Sequence, residues 1–433
     1  MENAVKKENV LKNRNFMLVF LGALVSEMGS TLYSFAVSFY ILEVSGNNAF
    51  LQGLYLAVCG VTFVLVTPFG GVLSDRLNKV RIMYICDYVK GACIIAATLL
   101  MTVYSSAGAH IAILFVIGFS NNVIGGFFSP ASGALLPSIV DENQLQQANS
   151  YFSLKSSFIS ILGIVAAGIL YAALPVNTLF LVVGICFILS GVSEIFIRIT
   201  HIPSTEKISV KLIFKDMGDG FVYVKNQKAL LILTLSILFL NCFLSPVGAN
   251  FMPYFLITDL ASAPSYLFDG ILTPELWSSV LNVLFSITSI AASVILSAKA
   301  QEEKCGKKVA WRIGLIAVIM IVLTAAYNIF VQIRHEVNPF LITFAITWML
   351  LGIIIMFINI PINTAMMKMV DKDKLGKVTS ILTTLSQGLS PLALLLAGTV
   401  LQQWGSSALL TVCAAGFAVT ALIMLCNKHV KEF

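Results

Sequence analysis

The stretch Gly71-Val72-Leu73-Ser74-Asp75-Arg76-Leu77-Asn78-Lys79-Val80-Arg81 decides the fold. It is short, led by glycine and dense in charge. It joins two long apolar runs, 50–72 and 82–104. A helix needs about 20 apolar residues to cross the ~30 Å hydrocarbon core of a bilayer. The charged stretch therefore reads as a loop between two membrane spans. Working outward, twelve such runs appear, at 16–44, 50–72, 82–104, 109–132, 148–172, 177–197, 229–257, 276–298, 310–331, 337–360, 378–401 and 405–426. Hydrophobic residues make up 58% of the chain and charged residues 11%, against about 25% charged in ordinary soluble domains. That leaves no room for a soluble domain. Met1 to Arg14 is polar and basic, and the apolar run after it is too long for a cleaved signal peptide, so it is expected to stay as the first helix.

A net charge of +6 could suggest nucleic acid, but its distribution excludes that. The Lys and Arg residues cluster in alternate connections: the N-terminus, the 71–81 loop, 198–228, 299–312, 368–377 and the C-terminus. Lys90 and Lys155 lie inside spans, and Arg334 alone falls on the opposite side. The positive-inside rule then puts both termini and the central linker in the cytoplasm of a multi-pass inner-membrane protein. Eight cysteines show no Cys-x-x-Cys pair and no Cys/His cluster. Neither a disulfide, a structural metal nor a cofactor is expected, and buried Cys serves as a small hydrophobe.

The expected fold is an all-α membrane protein, twelve transmembrane helices in two six-helix halves. The halves are residues 1–197 and 229–433, joined by a cytoplasmic linker at 198–228. Within the linker Val210, Ile213, Phe214, Met217, Phe221 and Val224 recur at helical spacing. They fit a helix lying on the inner leaflet, or one against the cytoplasmic ends of the spans. Thr273-Pro274-Glu275 supplies an N-cap, a first-turn proline and a first-turn acid, so the eighth span should begin there. The seventh holds Pro246 and Pro253 among Asn241, Ser245 and Asn250. Prolines free backbone carbonyls that other polar groups must satisfy in lipid, which suggests a cavity wall or gate, or a static kink.

The 71–81 stretch resembles the loop between helices 2 and 3 of the major facilitator superfamily of transporters. That signature reads Gly-x-Leu-Ala-Asp-Arg-x-Gly-Arg-(basic). Gly71, Leu73, Asp75, Arg76 and Lys79 match it. Ser74 replaces the Ala, Asn78 the second Gly, and Val80 stands where a basic residue is usual. Asn tolerates a left-handed backbone, which would make Asn78 a mild departure. The six-plus-six layout is also the one this superfamily uses, with substrate near the midplane between the halves. The second-half copy, Ala298 to Lys308, keeps charge and a Gly-Lys-Lys turn but not the Asp-Arg pair.

Further segments narrow the resemblance. They are Ser129-Pro130-Ala131-Ser132-Gly133-Ala134-Leu135-Leu136-Pro137, Asp141 to Ser150, Asn226-Gln227-Lys228, Leu375-Gly376-Lys377-Val378-Thr379-Ser380 and Pro391-Leu392. Together they are similar to the drug-efflux branch that includes macrolide-efflux proteins and the enterobactin exporter. The resemblance implies proton-driven export of an amphipathic molecule. Two departures stand out. The fifth span reads Gly163-Ile164-Val165-Ala166-Ala167-Gly168, without the proline of the antiport signature, and Asn121 occupies the place of a span-four arginine.

Charges inside spans are costly and point to function. Glu27 lies about eleven residues into the first span, roughly 16 Å deep at 1.5 Å per residue. Desolvation there would let it hold a proton and exchange it for a cationic substrate. Its alternative is a structural hydrogen-bond donor. Asp87 is the second proton-coupling candidate. With Lys90 three residues on, it also fits a structural pair. Lys90 and Lys155 are expected to snorkel toward the cytoplasm, and Glu194 and Arg198 to sit at the interface.

The resemblance assigns a gate motif to Gly71, Asp75, Arg76 and Lys79. Asp75 would face the start of the eleventh span near Gly376 to Ser380, Arg76 an acid across the gate, and Gly71 would allow close approach of the second and eleventh spans. An apolar cavity with few polar groups suits an amphipathic ligand. Tyr33, Phe35, Asn241, Asn250, Asn359 and Asn363 are its candidate lining, with Phe39 and Tyr40 beside them. The expected partners are a small amphipathic substrate, protons and the lipid bilayer, with no nucleic acid, and the expected state is a monomer. The alternatives are a transporter of a siderophore, lysolipid or metabolite, or a non-transporting receptor or enzyme. The enzyme reading lacks a nucleophile elbow, His-Glu-x-x-His or phosphate-binding loop.

Overall fold

The computed structural model describes residues 10–140, 144–198, 218, 222, 227–297, 306–369 and 384–426, without side chains at a few helical positions that include Asp75, Arg76 and Asn363. The described residues are helical and contain no strand. Eleven segments are long and apolar enough to span a membrane. The last, Thr384–Cys426, has 43 residues, about 64 Å of helix, roughly twice the hydrocarbon thickness. It is two helices. Gly405 breaks it with φ 79° and ψ 178°, a conformation that glycine adopts without a side-chain clash.

We label the helices α1 (Arg14–Val44), α2 (Ala49–Arg76), α3 (Lys79–Val103), α4 (Ala107–Ile139), α5 (Leu145–Phe158, Ile159–Gly163 and Ile164–Ala173), α6 (Val176–Ile195), α7 (Lys228–Pro246 through Leu256–Leu260), α8 (Pro274–Ser297), α9 (Gly306–Ala326 and Tyr327–Ile333), α10 (Val337–Met369), α11 (390–404) and α12 (406–426). The helix expected in the 198–228 linker, the 298–305 motif copy and the start of the eleventh span lie outside the described residues.

Local chemistry sets the helix ends. Thr273 Oγ1 accepts the Leu276 amide at 3.4 Å, where α8 starts on Pro274. Between α1 and α2 the chain reverses through Gly46 at φ 66° and Asn47 at φ 63°. The Asn47 amide donates to the Leu42 carbonyl at 2.7 Å, and Asn48 Oδ1 then accepts the Leu51 amide at 3.0 Å, opening α2. In α7, Pro246 precedes one π-helical turn, Val247–Phe251, and Pro253 precedes another, Leu256–Leu260. Pro253 has no N–H for the carbonyl of Ala249, four residues back and inside the first of these turns, so the regular ladder is interrupted there.

The helices group into two compact units. One contains 1–37 and 62–210; the other contains 38–61 and 211–433. The α1–α2 hairpin tip therefore packs with the second group. In the first unit, Val10, Phe16, Val19, Val80, Met83, Leu135 and Ile197 close a buried apolar cluster. Val80 belongs to this core, which gives an apolar residue its place at the position where the family signature is basic.

Candidate functional site

In the first unit α1 presents a stripe that is half-exposed at Leu24, Glu27, Met28 and Thr31 and exposed at Ser34. These positions share one face at spacings of three and four. Lys155 on α5 reaches across to Glu27, with Nζ 2.5 Å from Oε2, and the Lys155 ammonium also lies 4.8 Å from the Phe152 ring centre. The Lys155 side chain is 7% exposed, whereas that of Glu27 is 39% exposed. Lys155 thus does not snorkel. Its charge is used inside the helix pair, against a carboxylate and an aromatic face. Glu27 is accordingly paired, not the isolated buried acid expected from the sequence. Higher on the same contact, Gly163 lets α5 approach α1. A Cβ there would stand 3.4 Å from Met28 Sδ and 3.6 Å from Thr31 Cγ2.

The second proton-coupling candidate, Asp87, is fully buried on α3. Ser26 of α1 donates toward Asp87 Oδ1 at 3.4 Å. Lys90 also stays inside, with its ammonium 5.4 Å and 5.2 Å from the ring centres of Phe128 and Phe187. Of two further acids, sequence reasoning placed Glu194 at the interface and passed over Asp259. Glu194 has no exposed surface and so does not reach solvent. Asp259 at the end of α7 accepts the Tyr327 hydroxyl at 2.9 Å.

In the gate motif, Ser74 donates to the Gly71 carbonyl at 2.7 Å. A Cβ on Gly71 would meet nothing within 4 Å among the described residues, which do not include the start of the eleventh span; a separate tight approach, of α2 to α4, lies one residue earlier, where a Cβ on Gly70 would collide with the Gly126 backbone. Asn78 has φ −64° and ψ 109°, so it is not left-handed. It caps α3, its Oδ1 accepting the Arg81 amide at 3.2 Å. Lys79 is the first residue of α3. The side chains of Asp75 and Arg76, and residues 376–380, lie outside the described residues.

The cavity candidates divide. Tyr33 and Phe35 are 8% and 9% exposed. Their rings pack on Phe180 and Tyr171 at 5.8 Å and 6.0 Å. They fasten α1 to α6 and α5 and do not present open rings. Asn241 donates to the Ser386 carbonyl at 3.2 Å. Asn250 is fully buried in the first π-helical turn of α7, and neither side-chain polar atom has a partner among the described residues. Asn359 is half-buried on α10, and the Asn363 side chain is outside the description. The residue beside Asn250 shows what the sequence did not. Gln52 of α2 is fully buried, and its amide nitrogen donates to the Ser38 carbonyl at 3.1 Å and the Ala249 carbonyl at 3.2 Å. One side chain thereby ties the end of α1, α2 and α7 within the second unit.

Apolar spanning helices with ionisable groups held inside them define a multi-pass membrane protein. Residues 19–393 match the model of the Major Facilitator Superfamily, and the chain belongs to that family. It is a multi-pass membrane transporter, not an enzyme. It is 21% identical to the uncharacterized MFS-type transporter YvqJ of Bacillus subtilis (strain 168) over 95% of this chain and 92% of that one. It is 25% identical to YkuC, an uncharacterized MFS-type transporter of the same organism, over 51% of this chain and 52% of that one. It is 23% identical to macrolide efflux protein A of Streptococcus pyogenes over 59% and 65%. The chain thus matches between half and two thirds of the length of YkuC and macrolide efflux protein A. The fold is also that of a bacterial homologue of the iron transporter ferroportin solved in its inward-facing state, with TM-score 0.74, 14% identity, 95% of this chain and 98% of that chain covered.

Proposed function

We propose that this chain exports an amphipathic, cation-bearing small molecule by alternating access, driven by a proton gradient, from the inner membrane of a bacterial cell with both termini in the cytoplasm. The observation that carries the reading is the Glu27–Lys155 pair. It sets a half-exposed carboxylate some thirteen residues, about 20 Å, along α1. A proton or a substrate ammonium competes with Lys155 for that carboxylate. Binding of either frees the lysine, which makes the two ligands mutually exclusive, as exchange requires. The similarity to macrolide efflux protein A supports an amphipathic cargo. The similarity to putative bacilysin exporters of Bacillus, 25% identical over half of each chain, favours export in general and admits a metabolite as the cargo.

The gate motif belongs to this reading: Asp75 is proposed to hold the state closed to the cytoplasm through the dipole at the start of the eleventh span. A drug-susceptibility panel in an efflux-deficient host, with and without a protonophore, tests the proposal. Expression should raise tolerance to amphipathic cations, and both the protonophore and Glu27→Gln should abolish the gain. Tolerance that persists under the protonophore would overturn proton driving.

A further inference from the structure

A second ionisable cluster lies between α3 and α6. These helices run antiparallel and touch closely. A Cβ on Gly91 would stand 2.8 Å from the Gly184 carbonyl oxygen, and one on Gly191 would stand 3.4 Å from the Tyr84 carbonyl oxygen. Tyr84 and Gly191 therefore share a level. Asp87 sits about one turn from Tyr84, and Glu194 about one turn from Gly191. Each Cα–Cβ bond tilts toward the N-terminus of its own helix. The two carboxyls thus lean toward that common level from opposite directions. Gly22 of α1 makes room for them: a Cβ there would stand 3.5 Å from Glu194 Cγ and 2.5 Å from Ser193 Oγ.

Asp87 and Glu194 have no exposed surface. Neither oxygen of Glu194 has a hydrogen-bond partner among the described residues. Facing the two acids from α3 come Cys86 and Lys90, the latter within electrostatic range of both acids. From α6 come Ser190, which donates to the Gly22 carbonyl at 2.9 Å, and Phe187 against Lys90. From α1 comes Ser26, and from α4 Phe128. The next acid on α1, Glu27, is taken by Lys155. Lys90 is therefore the cation that faces two carboxyls.

We propose that Asp87, Lys90 and Glu194 form a proton-holding site, in which two carboxyls share one exchangeable proton beside a lysine that stays cationic. Three ionised groups would leave one uncompensated negative charge in a low-dielectric interior, where an unpaired ion is heavily penalised. Two carboxylates sharing a site do not both ionise. One proton makes the trio neutral. Loading forms one O–H bond at a carboxylate oxygen and takes the proton from hydronium, leaving water; release is the reverse, and nothing is oxidised or reduced. Movement of α1 against the α3–α6 pair would admit water to Ser26 and open the site. The inference deepens the transport reading, because it gives the gradient a second binding group besides Glu27.

The test is infrared difference spectroscopy of the purified full-length protein, reading the protonated-carboxyl C=O stretch at neutral pH in H₂O and D₂O. Glu194→Gln and Asp87→Asn should each remove one carboxylic acid's worth of band, because the remaining acid pairs with Lys90 as a carboxylate. Lys90→Gln should add one, because both acids must then be neutral. Band intensity equal to that of the parent protein in whichever of these variants folds overturns the site. Transport is read separately in vesicles. Parent protein that shows this band pattern but exports no compound leaves the proton site standing and overturns the transport reading instead.

Discussion

Gly53 of α2 and Gly398 of α11 press their backbones together. A Cβ on Gly53 would stand 3.0 Å from the Gly398 Cα, and one on Gly398 would stand 2.9 Å from the Gly53 Cα. The contact is one rung of an antiparallel seam. One turn toward the hairpin tip, Gln402 Oε1 accepts the Ala49 amide at 2.8 Å. Seven residues the other way on both helices, a Cβ on Gly60 would stand 2.7 Å from Pro391 Cγ. Small residues permit such close approach in a membrane, where helix association rests on packing. Gly53→Ala or Gly398→Ala should lower stability by about 1–3 kcal/mol, the usual cost of overpacking. Gly108→Ala, where a Cβ meets nothing within 4 Å, should change it by less than ~0.5 kcal/mol. Thermal melts in detergent check the contrast. Equal melting points for the Gly53 and Gly108 variants would refute the seam.

The Asn78 cap gives a prediction that separates two explanations of the motif's departure. A left-handed residue would be replaced best by glycine and badly by anything with a Cβ. The observed extended Asn78, accepting from the Arg81 amide, instead predicts a capping pattern. Asn78→Asp and Asn78→Ser should be near neutral, Asn78→Gly should lose a few tenths of a kcal/mol, and Asn78→Ala about 1 kcal/mol. Denaturation midpoints of the four variants decide it. A gain in stability for Asn78→Gly would restore the left-handed reading.

The parts of the fold that local chemistry determines could be read from the sequence. Spans announce themselves by length and apolarity, and the start of α8 by Thr273-Pro274-Glu275. The eleventh and twelfth spans stood as separate runs although the chain continues as helix on both sides of Gly405. What could not be read depends on register between distant helices. Glu194 lies one residue from the end of α6 and so looked interfacial. It is buried because α3 runs antiparallel beside it and both carboxyls tilt to one level. Lys155 looked free to snorkel because its partner is 128 positions away in sequence. Gln52, an ordinary glutamine in an apolar run, ties three segments only because Ser38 and Ala249 present their carbonyls to it. A signal was available in each case, a polar residue within a span. The direction in which it pointed was not.

The orientation in the membrane rests on the basic connections and is open to labelling. Single cysteines at Asp269 and Arg334, in a background lacking native cysteines, should react with an impermeant thiol reagent added outside intact cells. Asp269 lies in the connection between α7 and α8, and Arg334 in that between α9 and α10. A cysteine at Lys307, in the first turn of α9, should react only after the cells are opened. Outside labelling at Lys307 with protection at Arg334 would invert the topology.

Glu27 and Lys155 supply the most direct test of mechanism, because an ion pair and a proton carrier respond differently to the same substitutions. If the pair only holds α1 to α5, removing either charge leaves the other unpaired inside the unit. The two single variants Glu27→Gln and Lys155→Met should then be less stable than the double variant, with a coupling of about 1–3 kcal/mol in a double-mutant cycle. A transporter with both groups neutralised would still exchange protons for substrate. If the carboxylate is also the exchanging group, stability recovers in the double variant but coupling does not. Glu27→Gln and the double variant should both bind a neutral ligand, lose the pH dependence of binding a cationic one, and release no proton when substrate is added. Lys155→Met should retain substrate-induced proton release, since the carboxylate remains. Proton-coupled efflux in Glu27→Gln vesicles at normal protein levels would restrict the pair to a structural role and leave coupling to the acids on α3 and α6.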